Sequence, residues 1–233
     1  MDNEKAKCKC SVCGKEMEYT IIPEIPFAHP TLCPECNAKR KEEEKEREVQ
    51  KSVERMNAEV EQLPYPDWDC SIGNNRLRNT IGTSVFKDKH LTGKSLYIHG
   101  ETGCGKTRSV CSVARTIIER DDHVKYIHCL RMLSGYSNEF VNGGAEEYLT
   151  KLGRDKRIII VDDLGVGRVT ERGAELLYYL IDERLINKLP TWITSNLEPK
   201  YLGQWFPEGL QDYSDRITRR IYETYNIIDA KRV

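Results

Sequence analysis

An α/β domain on a parallel sheet, preceded by a small metal-dependent module and a charged helical linker, is the fold class this sequence predicts. Three observations carry it. Gly100 to Thr107 reads GETGCGKT between an apolar run and a helical pattern; Ile158 to Val161 are four consecutive β-branched residues that end on Asp162 and Asp163; and Cys-x-x-Cys occurs at Cys10/Cys13 and again at Cys33/Cys36. With 233 residues, the chain keeps enough length beyond the module and linker to bury one α/β core.

The N-terminal module comes first in the chain, as residues 1–38. Five of the nine cysteines fall within the first thirty-six residues, and Cys10, Cys13, Cys33 and Cys36 have the paired-knuckle spacing of a four-cysteine zinc ribbon. Gly14 follows the first pair and Pro34 lies inside the second, so each pair can sit on a tight turn, with Cys8 and His29 as spare ligands. Two disulfides are the competing reading. The N-terminus MDNEKAKC lacks the apolar segment of a signal peptide and no stretch is long enough to cross a membrane. The expectation is therefore a cytoplasmic chain with reduced thiols, binding Zn²⁺. So short a segment cannot bury enough apolar surface alone, and a structural zinc contributes on the order of 10 kcal/mol. Lys5, Lys7, Lys9 and Lys15 surround the first knuckle; the ligands alone do not decide between DNA, protein and self-stabilisation.

Residues 39–63 form the linker. Lys39 to Glu48 alternates charge, after which Val49, Val53, Met56, Val60 and Leu63 step by four, three, four and three, a short heptad seam that Pro64 and Pro66 end. Either this helix docks a partner or a second copy, or its apolar residues rest on its own domain.

The domain of residues 64–233 opens with Tyr65 and Trp68, which either pack in the core or approach a bound base. Leu96, Tyr97 and Ile98 read as a strand, and Val110, Val113, Ala114, Ile117 and Ile118 recur at helical spacing after the glycine loop. This strand, loop and helix order is the context that makes GETGCGKT a phosphate-binding P-loop. Gly100, Gly103 and Gly105 permit backbone angles that turn successive N–H groups inward around an anion, with Glu101, Thr102 and Cys104 filling the loop. Cys104 reads as filler rather than a redox handle. Lys106 supplies charge to the β and γ phosphates of ATP, and the Thr107 hydroxyl is placed as a Mg²⁺ ligand.

A P-loop requires a carboxylate at a neighbouring strand end, and Asp162 is that candidate for Mg²⁺, with Asp163 placed to orient or deprotonate an attacking water. Val124 to Cys129 reads as the second core strand, and Thr191 to Thr194 as another, which delivers Ser195 and Asn196 to the carboxyl edge of the sheet, where α/β sites form. Asn196 is a candidate for hydrogen bonding to the water or the γ-phosphate. Asp215, Arg216, Arg219 and Arg220 share a helix with Ile217 and Ile221 on its apolar side. Arg131 to Thr150 carries helical signals with breaks at Gly135 and Gly143–Gly144, while Leu176, Leu177, Leu180, Ile181 and Leu185 form one core face of a helix within Thr170 to Asn187. His90, His99, His123 and His128 stand at no metal-ligand spacing and read as structural.

In order and approximate spacing, the GETGCGKT loop, the IIIVDDLG strand end, the TWITSN strand and the DYSDRITRR segment resemble the AAA+ ATPases of the DnaC/DnaI helicase-loader group and its IstB-like transposition relatives. The resemblance covers residues 64 to 233. It implies a five-stranded AAA+ core, Asn196 as sensor, Arg216 as an arginine finger acting on another subunit, and Arg131, Lys151 and the stacking residue Tyr136 as candidates facing single-stranded DNA. Two departures stand out: with about seventeen residues after Arg216, the helical lid that carries a second sensor arginine in larger AAA+ proteins is expected to be missing, as it is similarly reduced in this subgroup, and the N-terminal region does not resemble the helicase-binding domain of the best-known loaders.

A net charge of −1 is uninformative about nucleic acid, yet five Lys or Arg lie from Arg216 onward against Glu223 and Asp229, and a ring of subunits would repeat them around DNA. The leading expectation is an oligomeric ATPase that loads a replicative helicase, or serves another replication protein, on single-stranded DNA. A transposition helper on duplex DNA shares its chemistry, and a non-hydrolytic zinc-ribbon adaptor is the reading from a different class. A metabolic kinase fits the late arginines and the sensor asparagine less well.

Overall fold

The computed structural model describes residues 5–21, 28–64, 75–87 and 90–231. It divides into two compact units, Met1–Arg55 and Met56–Val233.

In the first unit, β1 (Lys5–Lys9) and β2 (Glu16–Thr20) form an antiparallel hairpin in which Lys7 faces Glu18 and Cys8 faces Met17. Alternation along β1 exposes Lys5, Lys7 and Lys9 and half-buries Ala6 and Cys8. Helix α1 (Pro34–Glu61) begins inside the second cysteine pair. Proline suits the first helical position because its missing N–H has no intrahelical partner there. Cys36 therefore sits in the first turn, and the ribbon and linker segments share one helix. Lys39 to Gln50 are all exposed.

The heptad seam divides in two. Met56, Val60 and Leu63 pack against the core of the second unit, with Leu63 only 5% exposed, whereas Val49 is 61% and Val53 44% exposed. Glu59, on the same terminal turns, is buried and its carboxylate accepts from the Val124 N–H at 3.3 Å and meets His123 Nδ1 at 2.9 Å. The lower seam thus rests on its own domain.

The second unit continues with α2 (Asn75–Val85), the short antiparallel pair β3 (Phe86–Lys87) and β4 (His90–Leu91), β5 (Ser95–His99), α3 (Lys106–Ile118), β6 (Val124–His128), α4 (Cys129–Asn142), α5 (Ala145–Gly153), β7 (Ile158–Leu164), α6 (Glu171–Ile186), β8 (Thr191–Ser195), a 3₁₀ turn (Pro199–Trp205), α7 (Gln211–Thr224) and β9 (Tyr225–Asp229). Five strands pair in parallel in the order β6-β7-β8-β5-β9. This is the five-stranded α/β sheet the resemblance implied.

Period-two alternation explains the three layers. Leu96, Ile98, Ile158, Ile160, Trp192 and Ile228 face one core, with α2 and α3; Tyr97, Ile159, Val161 and Ile193 face the other, with α4 to α7. All are almost fully buried, and each such aliphatic side chain contributes about 1.5–3 kcal/mol. Helix α6 starts on Thr170, whose hydroxyl accepts from the Gly173 N–H, a side-chain N-cap.

Two expectations fail in the middle of this unit. Helix α4 runs through Gly135 without a break, because that glycine admits the Tyr148 hydroxyl, which would lie 3.1 Å from a Cβ there. Tyr136 is 2% exposed, wedged by the rings of Phe140 and Tyr148 at 6.3 and 6.0 Å, so it is a core residue and cannot stack on DNA. The break at Gly143 and Gly144 is present, with Gly143 in the left-handed region that ends α4. Tyr65 and Trp68 lie outside the described residues.

Candidate functional site

The P-loop joins β5 to α3, and the carboxylates end β7 two positions away in the sheet, since β8 lies between them. All three strands are parallel, so their C-terminal ends open on one edge. There Thr102, Gly103, Cys104, Gly105, Lys106 and Thr107 line a cleft of about 910 Å³ together with Asp162, Asp163 and Asn196. Most of the predicted site residues are therefore brought together. Gly100 and Glu101 lie at the start of the loop, their carbonyls within reach of Lys106.

Backbone constraints shape the loop. Gly105 precedes α3 with φ of 91°, a left-handed angle open to glycine, and the first turn of the helix it starts lines the cleft. At Gly100 the limit is space: a Cβ would lie 3.0 Å from the Ala230 Cβ and 3.2 Å from the Cys104 sulfur. The end of β9 holds this turn from outside, through the Ala230 N–H on the His99 carbonyl at 2.8 Å and a Lys231–Glu101 ion pair.

Lys106 is 5% exposed and its ammonium donates to the carbonyls of Gly100 and Glu101, each at 2.9 Å, and to Asn196 Oδ1 at 2.8 Å. The cation predicted for phosphate and the predicted sensor amide are thus in direct contact. Thr107 Oγ1 lies 3.0 and 3.1 Å from the two oxygens of Asp162. Two neighbouring ligands of an octahedral Mg²⁺ at 2.0–2.1 Å are about 2.9 Å apart, so this donor pair fits that ion.

The tip of β7 carries a feature with no local sequence signature. Pairing with β8 jumps from Val161↔Ile193 to Leu164↔Ser195, a bulge that takes Asp162 and Asp163 out of register on that side, while Asp162 still pairs with His128 of β6. Asp163 takes a φ of 59°, which aspartate tolerates better than most residues, and its N–H donates to Thr194 Oγ1 at 2.9 Å. Bulges re-aim side chains in this way beside active sites. Asp162 turns inward and is 2% exposed, while Asp163 stays half-buried. Burial, with the adjacent Asp162 charge, raises the Asp163 carboxyl above its ordinary value; His128 and Lys106 oppose the shift.

Two residues of β6 belong to the site and were missed. Tyr126 and His128 line the cleft; the tyrosine hydroxyl lies 2.5 Å from Asp162 Oδ2, and His128 Nε2 lies 3.6 Å from Asp163 Oδ2. His128, read from sequence as structural, is a cleft residue. Their i, i+2 spacing on a strand leading to the carboxyl edge was the available signal.

Arg216 does not line this cleft. It is exposed on α7 with its guanidinium carbon 5.8 Å from the centre of the Tyr178 ring. Several members of the basic clusters pair within the chain: Arg219 with Glu223, Arg220 with Asp182, Lys7 with Glu18, Lys15 with Glu35, and Lys151 with Glu147. Arg131 remains exposed on α4.

In the first unit the sulfurs of Cys10, Cys13, Cys33 and Cys36 lie within 4.8 Å of one another. The Cys13 and Cys33 sulfurs are 3.7 Å apart, against about 3.8 Å for two thiolates on a tetrahedral zinc at 2.3 Å. The four thiols share hydrogen bonds: backbone N–H groups at Cys13 and Cys33 bring the Cys10 thiol down to about 6, while hydrogen bonds to Cys33 and Cys13 push the Cys36 thiol up to about 12. This donor set fits Zn²⁺. Cys8 instead points its thiol at the Pro30 carbonyl, 3.3 Å away.

The sequence profile described as IstB-like ATP binding protein matches residues 31–231. The replicative helicase loader DnaI of Bacillus subtilis is 24% identical over 212 residues, 84% of this chain and 67% of that protein. An ATP-binding protein in an insertion sequence of Mycobacterium tuberculosis is 28% identical over 151 residues, 63% of this chain and 58% of its own length. Among solved structures, DnaI superposes with a TM-score of 0.57 at 20% identity, covering 74% of this chain and 93% of that one. The DnaC helicase loader superposes at 0.53 and 19% identity, with 67% and 92% covered. AMPPCP-bound DnaA from Aquifex aeolicus gives 0.54 at 15% identity, with 66% and 46% covered. These likenesses place the second unit in the AAA+ fold.

Proposed function

We propose that this chain, which belongs to the IstB-like ATP-binding protein family, is an ATP-hydrolysing loader of a replicative helicase that assembles through nucleotide-bridged subunits on single-stranded DNA. Similarity to DnaI over 84% of the chain, reaching beyond the ATPase unit, carries the loader reading. The cleft supports the chemistry. Lys106 neutralises the β and γ phosphates, Thr107 and Asp162 would hold Mg²⁺, and Asp163 with Asn196 orients a water for attack on the γ-phosphorus. The bond from that phosphorus to the β–γ bridging oxygen breaks, ADP leaves, and the water proton passes toward Asp163. When bound, the metal supplies charge neutralisation at the phosphate oxygens. Arg216 serves a neighbouring copy.

A transposition helper is the second reading, favoured by the family profile and by the insertion-sequence relative. Pull-down of the intact chain from its host, with and without ATP, separates them. ATP-dependent recovery of a hexameric helicase supports the loader; recovery of a transposase in its place overturns it. If Lys106→Ala and Asp162→Ala recover partners and support function like the parent, the non-hydrolytic adaptor replaces both.

Lys106→Ala should weaken ATP binding about 100-fold or more, because the buried phosphate charges lose their cation while the loop keeps its N–H groups. Direct titration of nucleotide checks this, and unchanged affinity contradicts the site. Cys10→Ser should release zinc and unfold the hairpin, leaving nucleotide affinity within about twofold. Metal analysis of the purified parent is the companion measurement; zinc below one equivalent per chain defeats the ribbon.

A further inference from the structure

We propose that Tyr126 is a positioning residue that fixes the orientation of the metal-binding carboxylate Asp162. The inference rests on the nucleotide reading above and concerns how its metal site is held.

Asp162 accepts from three hydroxyls. Thr194 Oγ1 bonds Oδ1 at 2.5 Å, the Tyr126 hydroxyl bonds Oδ2 at 2.5 Å, and Thr107 Oγ1 reaches both oxygens. A carboxylate offers about four lone-pair directions, two on each oxygen. Thr194 on β8 and Tyr126 on β6 occupy one direction on each, from opposite sides of β7, and leave the remaining pair aimed at Thr107, where the ion is expected. Removing either clamp frees the carboxylate to rotate.

Tyr126 differs from Thr194 in kind. Thr194 is fully buried beneath the bulge and also accepts from the Asp163 N–H, so it supports backbone as well as carboxylate. Tyr126 is half-buried, packs its ring against the α2–α3 core, and extends only its hydroxyl to the site. At this length the phenol donates and the ionised carboxylate, which has no proton to give, accepts. Tyr126→Phe therefore removes one hydrogen bond to Asp162 and leaves the packing in place. Partners that orient a metal ligand are worth about 10–100-fold in metal affinity.

The test uses the full-length protein and a fluorescent ATP analogue, with binding rather than hydrolysis as readout. In EDTA, Tyr126→Phe should bind the analogue like the parent, because Lys106 and the loop N–H groups are untouched. On titration with Mg²⁺, the concentration that half-saturates the metal-dependent signal should rise about 10-fold in the variant. A Mg²⁺ dependence identical to the parent overturns the proposal. Reduced analogue affinity already in EDTA also overturns it, since the tyrosine would then act on the nucleotide. Should the parent itself show no Mg²⁺ dependence, the metal site fails, and the proposed hydrolytic function with it.

Discussion

Alanine at Arg216 is expected to leave nucleotide affinity within about twofold of the parent and to lower ATP hydrolysis by about 10³. The argument begins with what the neighbouring arginines do. Arg219 is engaged by Glu223 at 2.7 Å and Arg220 by Asp182 at 2.9 Å, both within the same chain. Arg216 instead lies exposed beside the Tyr178 ring, off the lining of its own cleft. Under the proposed function its guanidinium acts on the nucleotide of a neighbouring copy. Mixing tests this directly. Arg216→Ala subunits keep an intact Asp163, and Asp163→Asn subunits keep an intact arginine, so the mixture should recover part of the turnover that each lacks alone. Failure of any rescue, with both variants folded and binding nucleotide, argues against action between subunits. Arg219→Ala is the control: an exposed i,i+4 pair with Glu223 is worth a few tenths of a kcal/mol, and the rate should hardly change.

What could be read in the sequence was whatever physics confines to a short window. The loop from Gly100 to Thr107 is such a case, because phosphate binding by consecutive N–H groups constrains eight adjacent residues, and the β-branched run before Asp162 is another. Helix α6 and most of its core face followed from apolar spacing, although Arg184 rather than the expected Leu185 is the buried residue of its last turn. The parts that escaped depend on partners far apart in the chain. Tyr126 and His128 matter because β6 pairs with β7 in a register that sets His128 opposite Asp162. Gly135 resembled a breaker until Tyr148, thirteen residues on, is placed against it. The seam from Val49 to Leu63 looked uniform in its spacing, yet only its second half meets the ATPase core. Charge counts, likewise, cannot see that Arg220 is paired with Asp182.

Arg184 is the strongest case of that kind, and Arg184→Met is expected to destabilise the ATPase unit by about 3–5 kcal/mol. A helical arginine in the last turn of α6 reads as a solvated cation near a helix C-terminus. Instead it is fully buried. Its Nε donates to Thr191 Oγ1 at 2.8 Å, and its terminal nitrogens donate to the carbonyls of Asp155 and Pro190 at 2.7 Å and of Arg157 at 2.8 Å. One planar fork thus ties together the turns that lead into β7 and β8, adding donors to the Asp155 and Arg157 carbonyls and a second donor to the Pro190 carbonyl, which also accepts from the Ile159 N–H at 3.3 Å. Methionine keeps much of the volume and none of the donors, so the partly buried Asp155 and Arg157 carbonyls and the Thr191 hydroxyl lose the guanidinium at once. Lysine should recover only part of the loss, because three donors on one atom cannot span the acceptors of a planar guanidinium. Burial lowers the Arg184 guanidinium to about 10, still above the working range, so it remains charged at neutral pH. A base lowered in the folded state makes stability rise with pH only above that value, and the deficit of the variant should therefore be equal at pH 6 and pH 8. Urea unfolding followed by tryptophan fluorescence measures it, with a fall in melting temperature of roughly 10 °C as the thermal counterpart. Nucleotide affinity of the folded variant should be unchanged at low temperature, since these turns lie at the opposite edge of the sheet from the P-loop. A midpoint within about 1 kcal/mol of the parent would mean that water replaces the guanidinium, and that the fork is dispensable to the strands it joins.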